Sequence, residues 1–154
     1  MTQKHHVDAF IKATVECFES MVDVVPETKS VLESVPPIQQ SDICALIGLS
    51  GDSVGMVSLA FDKPTALKVV AEFLGEEPED LEQEDIYDAA GELINIIAGN
   101  GKAYVEDIAL TISLPSVMYG EKYYMSVPKN TSVVTVEFDL PDVGSMTMML
   151  SLVD

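Results

Sequence analysis

Asp88, Glu92 and Asn95 stand at i, i+4 and i+7, so on an α-helix they form one column. At about 100° per residue, Ile86, Ala90, Leu93, Ile97, Tyr104 and Ile108 gather in one sector, and Asp88, Glu92, Asn95, Gly99, Lys102 and Glu106 gather opposite it. The chemistry open to such a column is narrow. An amide is no general base, but it both donates to and accepts from water, so it can hold a water in position for attack. Carboxylates beside it can anchor a lysine of another molecule. A glycosidase pair is disfavoured, because nothing shapes a pocket around a convex helix face. The plainer alternative is a solvated outer face, which every amphipathic helix has. Against it stand Gly91, Asn95, Gly99, Asn100 and Gly101, all within eleven residues. Inside a helix glycine costs about 1 kcal/mol relative to alanine, and asparagine costs several tenths. Small residues beside the column lower the surface and let another backbone approach. An exposed amide with low neighbours on a rigid helix suits insertion into another molecule's cleft.

Other candidate chemistry is weaker. The only histidines, His5 and His6, fall in what reads as a frayed terminus, which leaves a nucleophilic triad without a base. Cys17 and Cys44 lie in apolar contexts with no CxxC or Cys/His cluster, so reduced core thiols and no zinc site are expected. Residues 76–85 carry seven carboxylates but lack the ligand alternation and central glycine of an EF-hand loop. They read as a solvated acidic loop leading into a helix N-terminus, where the helix dipole favours negative charge. No metal ligand set is expected.

The elements that must carry the column follow from periodicity. Val7, Phe10, Ile11, Thr14, Val15, Phe18, Met21, Val22 and Val25 predict a first helix stopped by Pro26. Residues 26–40, with Pro26, Pro36 and Pro37, read as an extended connection. Ile43–Leu49 and Val54–Phe61, split by Ser50-Gly51-Asp52-Ser53, read as a β-hairpin, with Gly48 and Gly55 as bulges or twist points. Asp62 or Lys63 caps a short helix with Pro64 in its first turn; Leu67, Val70, Phe73 and Leu74 are its core face, and Gly75 ends it. The long helix spans about 84–107. Strand-like runs follow at 109–118, 122–127, 132–140 and 145–153, and the last two form a hairpin. This order lacks the strict βαβα alternation of a parallel sheet. It predicts one α+β domain over residues 1–154, a largely antiparallel sheet with long helices packed on it. Both halves open with a helix followed by strands, so an internal duplication fits the pattern.

Composition narrows the partners. The 154 residues include 8 Lys, no Arg and 26 Asp plus Glu, giving a net charge of −18. Nucleic-acid binding depends on cations that neutralise phosphates, so it is disfavoured, and anionic membrane surfaces are disfavoured likewise. A basic patch on a protein partner would be attracted. At 47% hydrophobic residues, disorder of the bulk of the chain is excluded. No apolar run approaches the ~20 residues of a membrane helix, and the first ten residues lack a signal-peptide core. A cytoplasmic protein is expected.

The run Asp88-Ala-Ala-Gly-Glu92-Leu-Ile-Asn95 resembles the D/S-x3-E-x2-N signature of the CheC/CheX/FliY family of chemotaxis phosphatases, which dephosphorylate the response regulator CheY. Pro115 follows the asparagine at the family's spacing of about twenty residues. Ile47-Gly48-Leu49-Ser50-Gly51-Asp52-x-x-Gly55 is similar to the first hairpin of the family, Phe61–Gly75 to its short helix, and Pro115-Ser-Val117-x-x-Gly120 to the strand after the long helix. The first helix offers Glu16-x2-Glu19 and lacks the amide, so the resemblance is to the single-motif CheX branch. It implies a CheC-like fold and a phosphatase acting on the aspartyl phosphate of a CheY-like receiver. Asn95 would hold the attacking water and Glu92 would pair with the receiver's lysine. Asp88 would sit at the rim, with Gly99 and Lys102 as further partner contacts. No cofactor of its own is implied, the magnesium belonging to the receiver. Homodimerisation through sheet edges is also implied, with edges after residue 109 as candidates, Tyr123-Tyr124-Met125 among them. The alternative is a non-catalytic module of the same fold that docks a receiver or a flagellar-switch component.

Overall fold

The computed structural model describes residues 2–34, 38–39, 42–120, 124–125 and 131–153. Helix α1 runs Lys4–Met21 and buries His6, Val7, Ala9, Phe10, Ala13, Thr14, Cys17 and Phe18. It ends before the predicted stop at Pro26, because Asp23 takes φ 56° and turns the chain. Asp is one of the few residues that accept that left-handed conformation. Nor is its N-terminus frayed. The Leu152 N–H donates to Thr2 Oγ1 at 3.0 Å, and His6 is buried.

The expected connection at residues 26–40 contains a strand instead. β1, Glu27–Ser34, pairs antiparallel with β8, Val133–Leu140. Lying at the sheet edge, it exposes the neighbouring residues Val31 and Leu32, so its sequence shows no alternation. β2, Ile38–Gln39, pairs with β7, Tyr124–Met125. Residues 35–37, 40–41, 121–123 and 126–130 lie outside the described residues, and with them Pro36, Pro37, Tyr123 and most of the run predicted at 122–127.

The first hairpin forms as expected from β3, Ile43–Gly51, and β4, Val54–Phe61. Its register is unbroken from Ile43↔Phe61 to Leu49↔Gly55, so Gly48 and Gly55 are not bulges. Gly55 is needed for close approach: a Cβ there would lie 1.7 Å from the Ser151 carbonyl oxygen of the neighbouring strand. Helix α2, Lys63–Leu74, starts at Asp62, whose Oδ1 accepts the Thr65 N–H at 2.9 Å, and ends at Gly75. Its buried face is Thr65, Ala66, Val69, Val70 and Ala71. Leu67 and Phe73 are only partly buried and Leu74 is exposed, so the core face lies off the predicted stripe, toward smaller residues.

A single 3-10 turn, Pro78–Asp80, leads to helix α3, Gln83–Tyr104. The Glu82 N–H donates to Asp85 Oδ2 at 2.9 Å at its start. It stops short of Asp107, and Tyr104, predicted in the core, is 37% exposed. The Tyr104 hydroxyl donates to Glu16 on α1, which pushes its pKa up, and Lys12 Nζ lies 4.2 Å from the ring centroid. Ile108 falls beyond the helix and packs at the core's margin. The run expected at 109–118 is two strands, β5 Leu110–Ile112 and β6 Ser116–Tyr119, interrupted at Ser113-Leu114-Pro115. β8 and β9, Gly144–Val153, form the predicted final hairpin.

The main sheet has the order β1-β8-β9-β4-β3, with β5 and β6 sharing the outer side of β3, and every neighbouring pair is antiparallel. α3 packs over β3 and β4, and α1 and α2 pack on α3. Phe10, Phe18, Leu93, Ile94, Ile97 and Phe138 lie in the core between. This is the α+β arrangement that the sequence predicts.

Candidate functional site

α3 buries Ile86, Ala89, Ala90, Gly91, Leu93, Ile94, Ile97, Ala98 and Gly101, a broader stripe than the predicted one. The opposite side is therefore fixed in space. Asp88, Glu92 and Asn95 all project from it exposed, spread over about 10 Å of helix axis. Among the described residues none of the three side chains has a hydrogen bond or ion pair, so all their polar atoms are free for a partner.

The column is not on an open convex surface. Beside it lies a groove of about 500 Å³ lined by Tyr87, Asp88, Gly91, Glu92, Asn95, Leu114, Pro115 and Val117. Its second wall is the interruption between β5 and β6. The Ser113 N–H donates to the Gly48 carbonyl at 3.0 Å, and Ser113 Oγ accepts the Gly48 N–H at 2.8 Å. These bonds pin the loop to β3. Pro115 has no N–H to continue a ladder, and its ring packs toward Gly91 of α3: a Cβ built on Gly91 would meet Pro115 Cγ at 3.6 Å and Val117 Cγ2 at 3.7 Å. Leu114 is 88% exposed, an apolar side chain held out by a pinned loop. The groove thus has one polar wall, able to place a water and bind a cation, and one apolar wall, able to seat against a protein surface.

Asp88, Glu92 and Asn95 come together as the spacing implies, with Pro115 facing them across the groove. Gly99 and Lys102 lie on the same helix beyond the groove, both half-buried, and do not line it. Tyr87, Leu114 and Val117 were missed by the sequence reading. Tyr87 accepts a hydrogen bond from Gln83 Nε2 at 2.6 Å and meets Tyr119 edge-on at 6.3 Å between ring centroids. A signal for Leu114 existed: an apolar residue just before a proline, in a run too long for one uninterrupted strand.

His5 and His6 depart furthest from expectation. Their Nε2 atoms lie 2.9 and 3.0 Å from the two carboxylate oxygens of Asp107. The hydrogen bonds from His5 and then His6 hold the Asp107 carboxyl down at about 2. Cys17 and Cys44 are buried and outside any disulfide, as expected, and burial pushes the Cys17 thiol up to about 11. No helix among the described residues is long and apolar enough to cross a membrane.

Residues 43–139, which include the whole groove, match the family model for chemotaxis phosphatase CheX. No curated protein matches the sequence. Among solved structures, the chemotaxis protein CheX of Desulfovibrio desulfuricans is 25% identical over 96% of this chain and 98% of its own, with a TM-score of 0.86. A chemotaxis protein of Desulfovibrio vulgaris Hildenborough is 26% identical over 96% of both chains, with a TM-score of 0.85. A CheX–CheY–BeF3–Mg2+ complex from Borrelia burgdorferi matches at 24% identity and a TM-score of 0.77, over 99% of this chain and 100% of the matched one. With the family model covering well over half its length, the chain belongs to the CheX family of chemotaxis phosphatases.

Proposed function

We propose that this chain hydrolyses the aspartyl phosphate of a CheY-like receiver domain in the cytoplasm, using the α3 groove. The Asn95 amide enters the receiver's active site and holds a water in line with the phosphorus. Attack by that water breaks the bond between phosphorus and the aspartate oxygen, releasing inorganic phosphate and restoring the carboxylate. Glu92 pairs with the receiver's active-site lysine and Asp88 contacts its rim. Leu114 and Val117 seat the apolar side of the interface. Gly99 and Lys102, farther along α3, meet the receiver's periphery. Magnesium is the receiver's ion, where it neutralises phosphoryl charge; this chain brings no cofactor. Two copies pair through sheet edges.

The observation that carries this reading is the exposed, unpartnered Asp88–Glu92–Asn95 column walled by the Leu114-Pro115 loop. The Borrelia relative, solved with CheY and Mg2+, supports a receiver as the partner. Docking alone would need no amide at position 95. The test is the decay of a phosphorylated CheY receiver with and without this chain. Acceleration by the wild type, absent in Asn95→Ala, is the expected result. A chain that binds the phosphorylated receiver without shortening its lifetime would be a docking module.

A further inference from the structure

We propose that His5, His6 and Asp107 form a binding site for one divalent cation of the zinc class, remote from the phosphatase groove. The two histidines occupy the first turn of α1, and Asp107 lies just past the end of α3. Their ligand atoms all fall within 4.8 Å of one another. His5 Nε2 is 2.9 Å from Asp107 Oδ2, and His6 Nε2 is 3.0 Å from Oδ1 and 3.2 Å from Oδ2. In a tetrahedral site with metal–ligand distances of about 2.0–2.2 Å, ligand atoms stand roughly 3.3–3.5 Å apart. The His–Asp107 contacts of 2.9–3.2 Å lie a few tenths of an ångström inside that spacing.

The chemistry of the donors selects the ion. Two imidazoles and one carboxylate suit zinc, copper or nickel, whereas magnesium and calcium require oxygen ligands. The burial suits a site that loads from solvent. The His6 side chain is 5% exposed and held in place, while those of His5 and Asp107 are 57% and 47% exposed. The open side leaves the fourth position to water. The nearby cation, Lys4, is paired with Asp8 at 2.9 Å, and the net charge of −18 favours cation uptake. A bound ion would staple the start of α1 to the segment leaving α3, adding to the contacts of Phe10 with Gly101 and of Glu16 with Tyr104.

The experiment uses the full, untagged chain stripped with a chelator and titrated with zinc chloride by calorimetry, with thermal melts in parallel. One zinc per chain is expected, with a melting temperature raised by about 5–10 °C at free zinc near 100 times Kd. Magnesium at the same concentration should leave the melt unchanged. His5→Gln and Asp107→Asn, both at half-exposed positions, should remain folded and each weaken zinc binding about 10-fold or more. Zinc that fails to bind at one per chain, or that binds both variants as it binds the wild type, overturns the site and leaves the cluster a hydrogen-bonded clamp.

Discussion

Asn95 and Glu92 share a helix face but have different tasks, and their kinetics should separate. An interaction formed only in the transition state appears in kcat, while uniform binding appears in KM. In the proposed mechanism Asn95 positions the attacking water, so Asn95→Ala should lower kcat by about 10²-fold or more, the scale on which misplaced reactants cost rate. Binding of a phosphorylated receiver analogue should hardly change. In the same proposal Glu92 pairs with a receiver lysine that closure of the interface would desolvate. Truncating one partner of such a pair typically costs about 2–5 kcal/mol, so Glu92→Ala should weaken binding as well as rate. Neither substitution should lower the melting temperature, because both side chains are exposed and opposite Leu93 and Ile97. Steady-state kinetics with melts as control would check both variants, and wild-type kcat in Asn95→Ala would refute water positioning. This column was legible in the sequence because solvent-facing helical positions follow a fixed period, whatever packs behind them. Leu114 was not legible from periodicity; its one signal was the proline that follows it, which breaks the ladder there. Tyr104 was misplaced for a related reason: an amphipathic ring on the core side of the wheel ends at the surface once its hydroxyl finds Glu16.

The glycines of α3 show how one element can hold opposite requirements two residues apart. A Cβ on Gly101 would lie 2.5 Å from Cδ1 and Cε1 of Phe10, a fully buried ring of α1. A Cβ on Gly99 would meet nothing within 4 Å. Gly101 lets two helices approach closely, whereas Gly99 has no packing reason to be glycine. Gly101→Ala should therefore destabilise by about 1–3 kcal/mol through overpacking. Gly99→Ala should stabilise by up to about 1 kcal/mol, the helix propensity that glycine gives up. Chemical denaturation of the two variants reads the contrast directly, and equal shifts of the same sign would refute it. The sequence marked this cluster of small residues as unusual but could not say which faced α1 and which faced solvent. That depends on where the two helices cross. The end of α1 and the buried face of α2, whose ends at Asp62 and Gly75 were legible, were misjudged on similar grounds. Asp23 ended α1 by its own backbone conformation, and α2 turned Ala66, Val69 and Ala71 inward where Leu67, Phe73 and Leu74 were expected.

At the scale of the molecule, exchanging β1 with β5/β6, β8 with β3 and β9 with β4 reverses the strand order and leaves it unchanged. Each long helix precedes an edge strand that pairs with the hairpin of the other half, an approximate twofold that fits the duplication suggested by the order of elements. The pairing itself was not legible, because β1 exposes both faces and reads as a linker, and β9 meets β4 across 87 to 99 residues of sequence. The sheet ends at β1 on one side and at β5 and β6 on the other, and edges with free backbone groups invite pairing. A homodimer is expected at tens of micromolar, with light scattering giving twice 16.7 kDa; a monomer at that concentration removes the claim. The charge of −18 sets a last expectation. Long-range attraction toward a lysine-bearing receiver is screened within about 8–10 Å at 0.1–0.15 M salt. In the proposed complex the water held by Asn95 would lie inside a closed interface, beyond the reach of salt. Rising ionic strength should therefore raise KM while leaving kcat nearly constant, since steering acts on encounter and not on the attacking water. Phosphatase kinetics across a salt series would show this. A kcat that falls while KM holds would mean that charge acts on the chemical step, and that Glu92 or Asp88 shapes the transition state as well as the complex.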